Sequence, residues 1–177
     1  ANALYPKWKE QLAQGTASAL LTGTGATGVY ACLYDVGAGG AYNAAHEFFS
    51  SVVAGQVGTE IELSAGKTYT NGVFDADNVT YTAVSGASVE ALVIYIDTGV
   101  AGTSRLVAYL DTGFTGLPVT PSGGDITVTW NASGIFAFLS GLFDAVGSNP
   151  VHFLRAADKD RARLLLEALP LKMDRAA

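Results

Sequence analysis

The chain has 177 residues, with 10 Lys and Arg against 16 Asp and Glu, a net charge of −6 and only 15% charged residues. Hydrophobic residues make up 49% of it, so intrinsic disorder is excluded, and the acidic balance argues against a phosphate-backbone binder. One domain of this size buries roughly 70% of the surface its unfolded chain exposes, enough to fold without a metal or disulfide. The single cysteine, Cys32, excludes an internal disulfide framework and any multi-cysteine zinc site.

The first residues carry Lys7, Lys9 and Glu10 and lack an apolar stretch, so no secretory leader is expected there. Residues 2–14 are predicted to open the fold as a helix, with Leu4, Tyr5, Trp8 and Leu12 on one face and Gly15 closing it. Pro6 is tolerable in its first turn. The pattern then turns to strands: VYACLYD (29–35), TEIELSA (59–65), KTYTNGVF (67–74), NVTYTAVS (78–85), EALVIYID (90–97), SRLVAYLD (104–111), DITVTWN (125–131) and GIFAFLS (134–140). They are rich in Thr, Val, Ile and Tyr and punctuated by Gly, Asn, Asp or Pro, as in an antiparallel sandwich or barrel. In NVTYTAVS, Val79, Tyr81 and Ala83 alternate with Thr80, Thr82 and Val84. AAHEFFSSVV (44–53) reads as a helix crossing between strands. The longest apolar run, ALVIYI, is strand-length and far short of the ~18 residues a membrane helix needs.

The predicted fold is mainly β: an antiparallel β-sandwich, jelly-roll-like or Ig-like, with an N-terminal helix and a C-terminal helical arm. Val93, Ile94, Tyr95, Leu106, Val107 and Tyr109 are expected at its centre. Three strands leave through Asp-x-Gly, at LYDVG (33–37), YIDTG (95–99) and YLDTG (109–113). In each, Asp would cap the departing backbone and Gly would supply positive φ.

Charge divides the chain into a body (1–139), a linker (140–150) and an arm (151–177). Residues 1–150 carry four basic and twelve acidic side chains, whereas residues 151–177 carry six and four. The arm reads as an amphipathic helix that Pro170 ends, with Leu154, Leu164 and Leu165 in one band. Tyr5, Trp8 and Leu12 at one end, with Leu154, Leu164, Leu165 and Leu169 at the other, are the candidate partner-binding residues.

Catalytic signatures fare poorly. GTGATG (23–28) matches a dinucleotide fingerprint in letters, but a strand follows it where a helix N-terminus would have to face the pyrophosphate. Asp97-Thr98-Gly99 and Asp111-Thr112-Gly113 echo aspartic protease triplets, yet two strands of one hairpin would hold their carboxylates a strand length apart. His46 and His152 are about a hundred residues apart, without an i, i+4 partner for a metal. Asp75, Asp77 and Asn78 lack the bidentate Glu of a helix-loop-helix calcium site. No enzyme activity, cofactor or metal is expected.

The opening NALYPKW, the strand CLYD followed by AAHEFFSS, and the blocks NGVFDADNVTYTAVSGASVEALVIYIDTG and TSRLVAYLDTGFTGLPVTPSGGDITVTWNASGIF together resemble a family of short structural proteins of tailed bacteriophages. The resemblance spans roughly residues 1–138. It implies a virion protein on the capsid surface, a decoration (cement) protein bound to the major capsid protein. The alternative is a tail or tail-fibre component with a host-surface or glycan-binding role. A homotrimer or other homo-oligomer is expected, with neither nucleic acid nor membrane as partner. An acidic, cofactor-free body suits the outside of a shell that holds DNA.

Overall fold

A computed structural model describes residues 2–137. Its strands and its longer helix are, in chain order, β1 (Ala3–Leu4), α1 (Pro6–Ala13), β2 (Val29–Tyr34), β3 (Gln56–Glu62), β4 (Val73–Phe74), β5 (Val79–Tyr81), β6 (Ala91–Ile96), β7 (Arg105–Leu110), β8 (Phe114–Thr115), β9 (Ile126–Trp130) and β10 (Phe136–Ala137), with one further helical turn at Val36–Gly39. The fold is mainly β and antiparallel, as expected. A five-stranded sheet runs β1-β7-β6-β2-β3, a three-stranded sheet runs β5-β9-β8, and β4 pairs with β10. The chain divides after Phe136. The linker and arm, with Leu154, Leu164, Leu165 and Leu169, lie outside the described residues.

Every residue of β6 and β7 is buried. ALVIYI and RLVAYL are apolar on both faces because both faces are covered, and each fully buried aliphatic side chain stabilises by about 1.5–3 kcal/mol. Val93, Ile94, Tyr95, Leu106, Val107 and Tyr109 all lie in this core. On one side, Tyr81 of β5 reaches across so that its hydroxyl donates to the Ala31 carbonyl at 2.9 Å.

Four local readings need correction, and in each a neighbouring group decides the outcome. The opening segment is not one helix from residue 2. Tyr5, which precedes a proline, is extended at φ −69°, ψ 126°, so Ala3–Leu4 become an edge strand and the helix starts at Pro6. At its far end Gly15 has φ +70° and donates to the Leu12 carbonyl, the expected stop. AAHEFFSSVV is not an α-helix. Glu47, Phe48 and Phe49 lie along β7: the Leu106 amide donates to Glu47 O (3.0 Å), the Phe49 amide donates to Ser104 O (2.8 Å), and Phe48 bridges Arg105. Only short 3₁₀ turns at Phe49–Ser51 and Val53–Gly55 remain.

KTYTNGVF is not one strand but a tight hairpin. Asn71 (φ 54°) and Gly72 (φ 75°) turn the chain, and Thr68 pairs with Asp75. Asn-Gly suits a two-residue turn because both positions require positive φ. Finally, the alternation of NVTYTAVS ends at Ala83. Its φ of 51° turns Val84 inward, while its amide donates to Asp125 Oδ1.

The N-terminal segment is fastened to β7. Ala3 and Leu4 pair with Tyr109 and Ala108, and the Tyr5 amide donates to Val107 O. Asn2 Oδ1 accepts from the Asp111 and Thr112 amides, and Asn2 Nδ2 donates to Thr112 O. Trp8 is fully buried, meets Phe136 edge-on at 5.9 Å, and donates its indole N–H to Ala19 O at 2.9 Å. Trp8→Ala should therefore cost about 3–5 kcal/mol in chemical denaturation. Tyr5→Phe should be neutral or stabilising by up to about 1 kcal/mol, because the buried Tyr5 hydroxyl has no hydrogen-bond partner among the described residues.

Candidate functional site

Tyr5 and Trp8, expected to face a partner, are both at 0% exposure inside their own chain, and Leu12 is half-buried. Within the described residues Tyr42 lies against the Tyr5 ring at 5.1 Å and Phe136 against the Trp8 ring at 5.9 Å. Among the described residues the large apolar side chains most open to solvent are others: Leu20 (43% exposed), Val53, Tyr69 (38%) and Val100 (60%). Their exposure follows from position. Val100 caps the β6–β7 loop, and Tyr69 is held at the rim by its hydroxyl bond to Leu21 O at 2.9 Å.

The Asp-x-Gly exits work as local caps in two of three cases. Asp35 Oδ1 accepts from the Gly37 amide (2.7 Å) and Asp97 Oδ1 from the Gly99 amide (3.0 Å). At the third exit Asn2, from the far end of the chain, takes the amides of Asp111 and Thr112. Asp97 follows Ile96 and Asp111 follows Leu110. The pairing Ile96↔Arg105 and Leu92↔Leu110 sets these at opposite ends of the hairpin, so within one chain the two carboxylates cannot share a proton.

GTGATG forms a single 3₁₀ turn at Gly25–Thr27 before β2. A carboxylate of the chain occupies this loop: Glu62 Oε1 accepts from the Gly25 amide at 2.9 Å, and a Cβ at Gly28 would lie 2.6 Å from the same oxygen. Asp77 O and Asn78 Oδ1 accept from the indole and backbone N–H of Trp130, so these residues hold β9 in place. His46 is half-buried, His152 lies outside the described residues, and no three metal-ligating side chains converge among the described residues. No helix of the described residues is long and apolar enough to cross a membrane.

A small open groove of about 220 Å³, with polar and apolar lining in equal measure, lies between the Asn71–Gly72 turn and the turn at 131–134. Thr68, Thr70, Asn71, Asp75 and Ser133 supply its polar side chains, and Val73 and Gly134 its apolar contact. Both walls are fixed by backbone bonds. Thr68 and Asp75 exchange two (2.9 and 3.1 Å), Gly134 donates to Asn131 O (2.9 Å), and Ile135 donates to Phe74 O (2.9 Å). The Ser133 amide is held by Asn131 Oδ1 at 2.9 Å. Gly134, at φ +92°, lets the turns touch, since a Cβ there would collide with Val73. Of these residues Asp75 stood out in the sequence as a turn residue; the Asn-Gly dipeptide was the signal for one wall, and nothing in the sequence placed the second turn opposite it.

No protein-family model matches the chain, and no curated protein matches it either.

Titration of the core is one-sided. Burial pushes the Cys32 thiol up from 9.0 to about 12 and, with nearby Tyr109, pushes Tyr34 up from 10.0 to about 12. Burial also raises Tyr5, Tyr81 and Tyr95. In the folded state these groups hold their protons at pH values where the unfolded chain releases them. Their stabilisation is complete below pH 9 and falls as pH rises from 9 towards 12. Melting temperature should accordingly fall over that interval, and Cys32 should resist alkylation at pH 8 until denaturant is added.

Proposed function

We propose that this chain is a bacteriophage virion structural protein, a capsid decoration protein that binds the major capsid protein lattice and stabilises the head. The observation that carries this reading is a coincidence of boundaries. The resemblance to phage structural proteins runs to roughly residue 138, just past the GIF block, and the compact body ends close by, at Phe136.

The construction of the body supports the reading. Its core is aliphatic and aromatic, its loops are tied by Asp, Asn and Thr side chains, and its termini are fastened into sheets. A protein that binds only the assembled lattice stabilises it by mass action, and many weakly charged copies can sit close together without strong repulsion. A homotrimer or other homo-oligomer would multiply the contacts of each attachment. The groove bordered by Thr68, Thr70, Asn71 and Ser133 favours the second reading, a tail or tail-fibre component that meets the host surface.

Copy number separates the two. In labelled virions imaged by electron microscopy, the protein should decorate the head in proportion to the major capsid protein; label confined to the tail would replace the first reading by the second. Deleting residues 141–177 should leave the β-type circular dichroism unchanged and weaken attachment to heads. Unfolding of the truncated chain, or undiminished attachment, would remove the docking role proposed for the arm.

A further inference from the structure

The geometry points to the groove between the 71–72 and 131–134 turns as a binding subsite for one neutral sugar ring. The inference does not depend on whether the protein sits on the head or the tail.

The first argument is the supply of uncommitted polar groups. Thr68, Thr70, Asn71 and Ser133, all exposed, border one groove, and none of their side chains makes a hydrogen bond to another described residue. Asp75 holds the Ala76 amide through Oδ1 at 3.0 Å, leaving its other oxygen as an acceptor. Together these groups offer both donors and acceptors, the pairing that ring hydroxyls require.

The second argument is charge. Among the described residues the lining carries one carboxylate and no Lys, Arg or His. A phosphate, sulfate or carboxylate ligand would meet Asp75 without a compensating cation, so an anion is disfavoured. A single carboxylate is also too few for a dedicated cation cage.

The third is size and stiffness. The volume is below the ~300 Å³ at which sites for drug-sized ligands begin, so it suits one ring and no longer chain. Both walls are braced by backbone bonds, so little ordering is left for binding to impose. Val73 gives the ring one apolar contact.

The test is a titration of the ¹⁵N-labelled full chain with D-glucose, D-galactose and N-acetylglucosamine, followed by amide chemical shifts. Saturable shifts confined to Thr68–Asp75 and Asn131–Gly134, with at least one sugar, are expected. Thr70→Val removes a hydroxyl at nearly constant shape. Asn71→Gly removes the amide while keeping a residue that accepts positive φ. Each variant should weaken binding about tenfold, the loss of one good hydrogen bond, with the rest of the spectrum unchanged. Absence of saturable shifts with all three sugars, or equal binding by both variants, would overturn the assignment.

Discussion

Burying β6 and β7 on both faces is the constraint on which the rest of the body depends. Their twelve residues are all buried, and a strand pair of this kind is stable only if other elements cover both faces and satisfy the backbone along both outer edges. β2 completes one edge. The other, along β7, is shared by two segments end to end. β1 and Tyr5 pair with residues 107–109, and residues 47–49 pair with residues 104–106. Much of the unusual local structure follows from that division. Pro6 lets the N-terminal segment turn from edge strand to helix, while the pairing of Glu47 and Phe49 with β7 displaces the helix that 44–53 would otherwise form. Arg105, at the end of β7, is neutralised where these layers meet, paired with Glu47 Oε1 at 2.8 Å and lying over the Phe48 ring at 5.0 Å.

The opposite edge of the same sheet is guarded. β3 is its outermost strand, and its pairing with β2 skips between Ala31 and Leu33, where Gly58, at φ +68°, bends the strand. Glu60 and Glu62 follow the bend. A bulge and two carboxylates on an edge discourage pairing with another chain. The glutamates also serve the body: Gln56 donates to Glu60, and Glu62 holds the Gly25 amide.

The apolar residues that mattered for folding and those that remain for contact are therefore different sets. Tyr5 and Trp8 are part of the core, because the N-terminal segment is an integral edge of the sheet. Leu20, Val53, Tyr69 and Val100 remain at the surface, on loops and turns whose backbone is already bonded elsewhere. The groove arises similarly: two tight turns, distant in sequence, are brought together by the β4–β10 pairing and by the absence of a Cβ at Gly134.

From the sequence alone, the β class, the antiparallel hairpin of β6 and β7 and the stop at Gly15 could be read. Each depends on local chemistry: continuous apolar runs, β-branched residues, or a glycine that accepts positive φ. The Asp35 and Asp97 caps were legible for the same reason, since donor and acceptor are two residues apart. Tertiary structure decided what depends on partners distant in sequence. Asn2 serves the third Asp-Thr-Gly exit, residues 47–49 become extended against β7, and Trp8 turns inward towards Ala19 and Phe136. Of the groove, only the Asn-Gly turn had a sequence signal. The apposition of that turn with residues 131–134 comes from long-range strand pairing, which no local pattern of residues encodes.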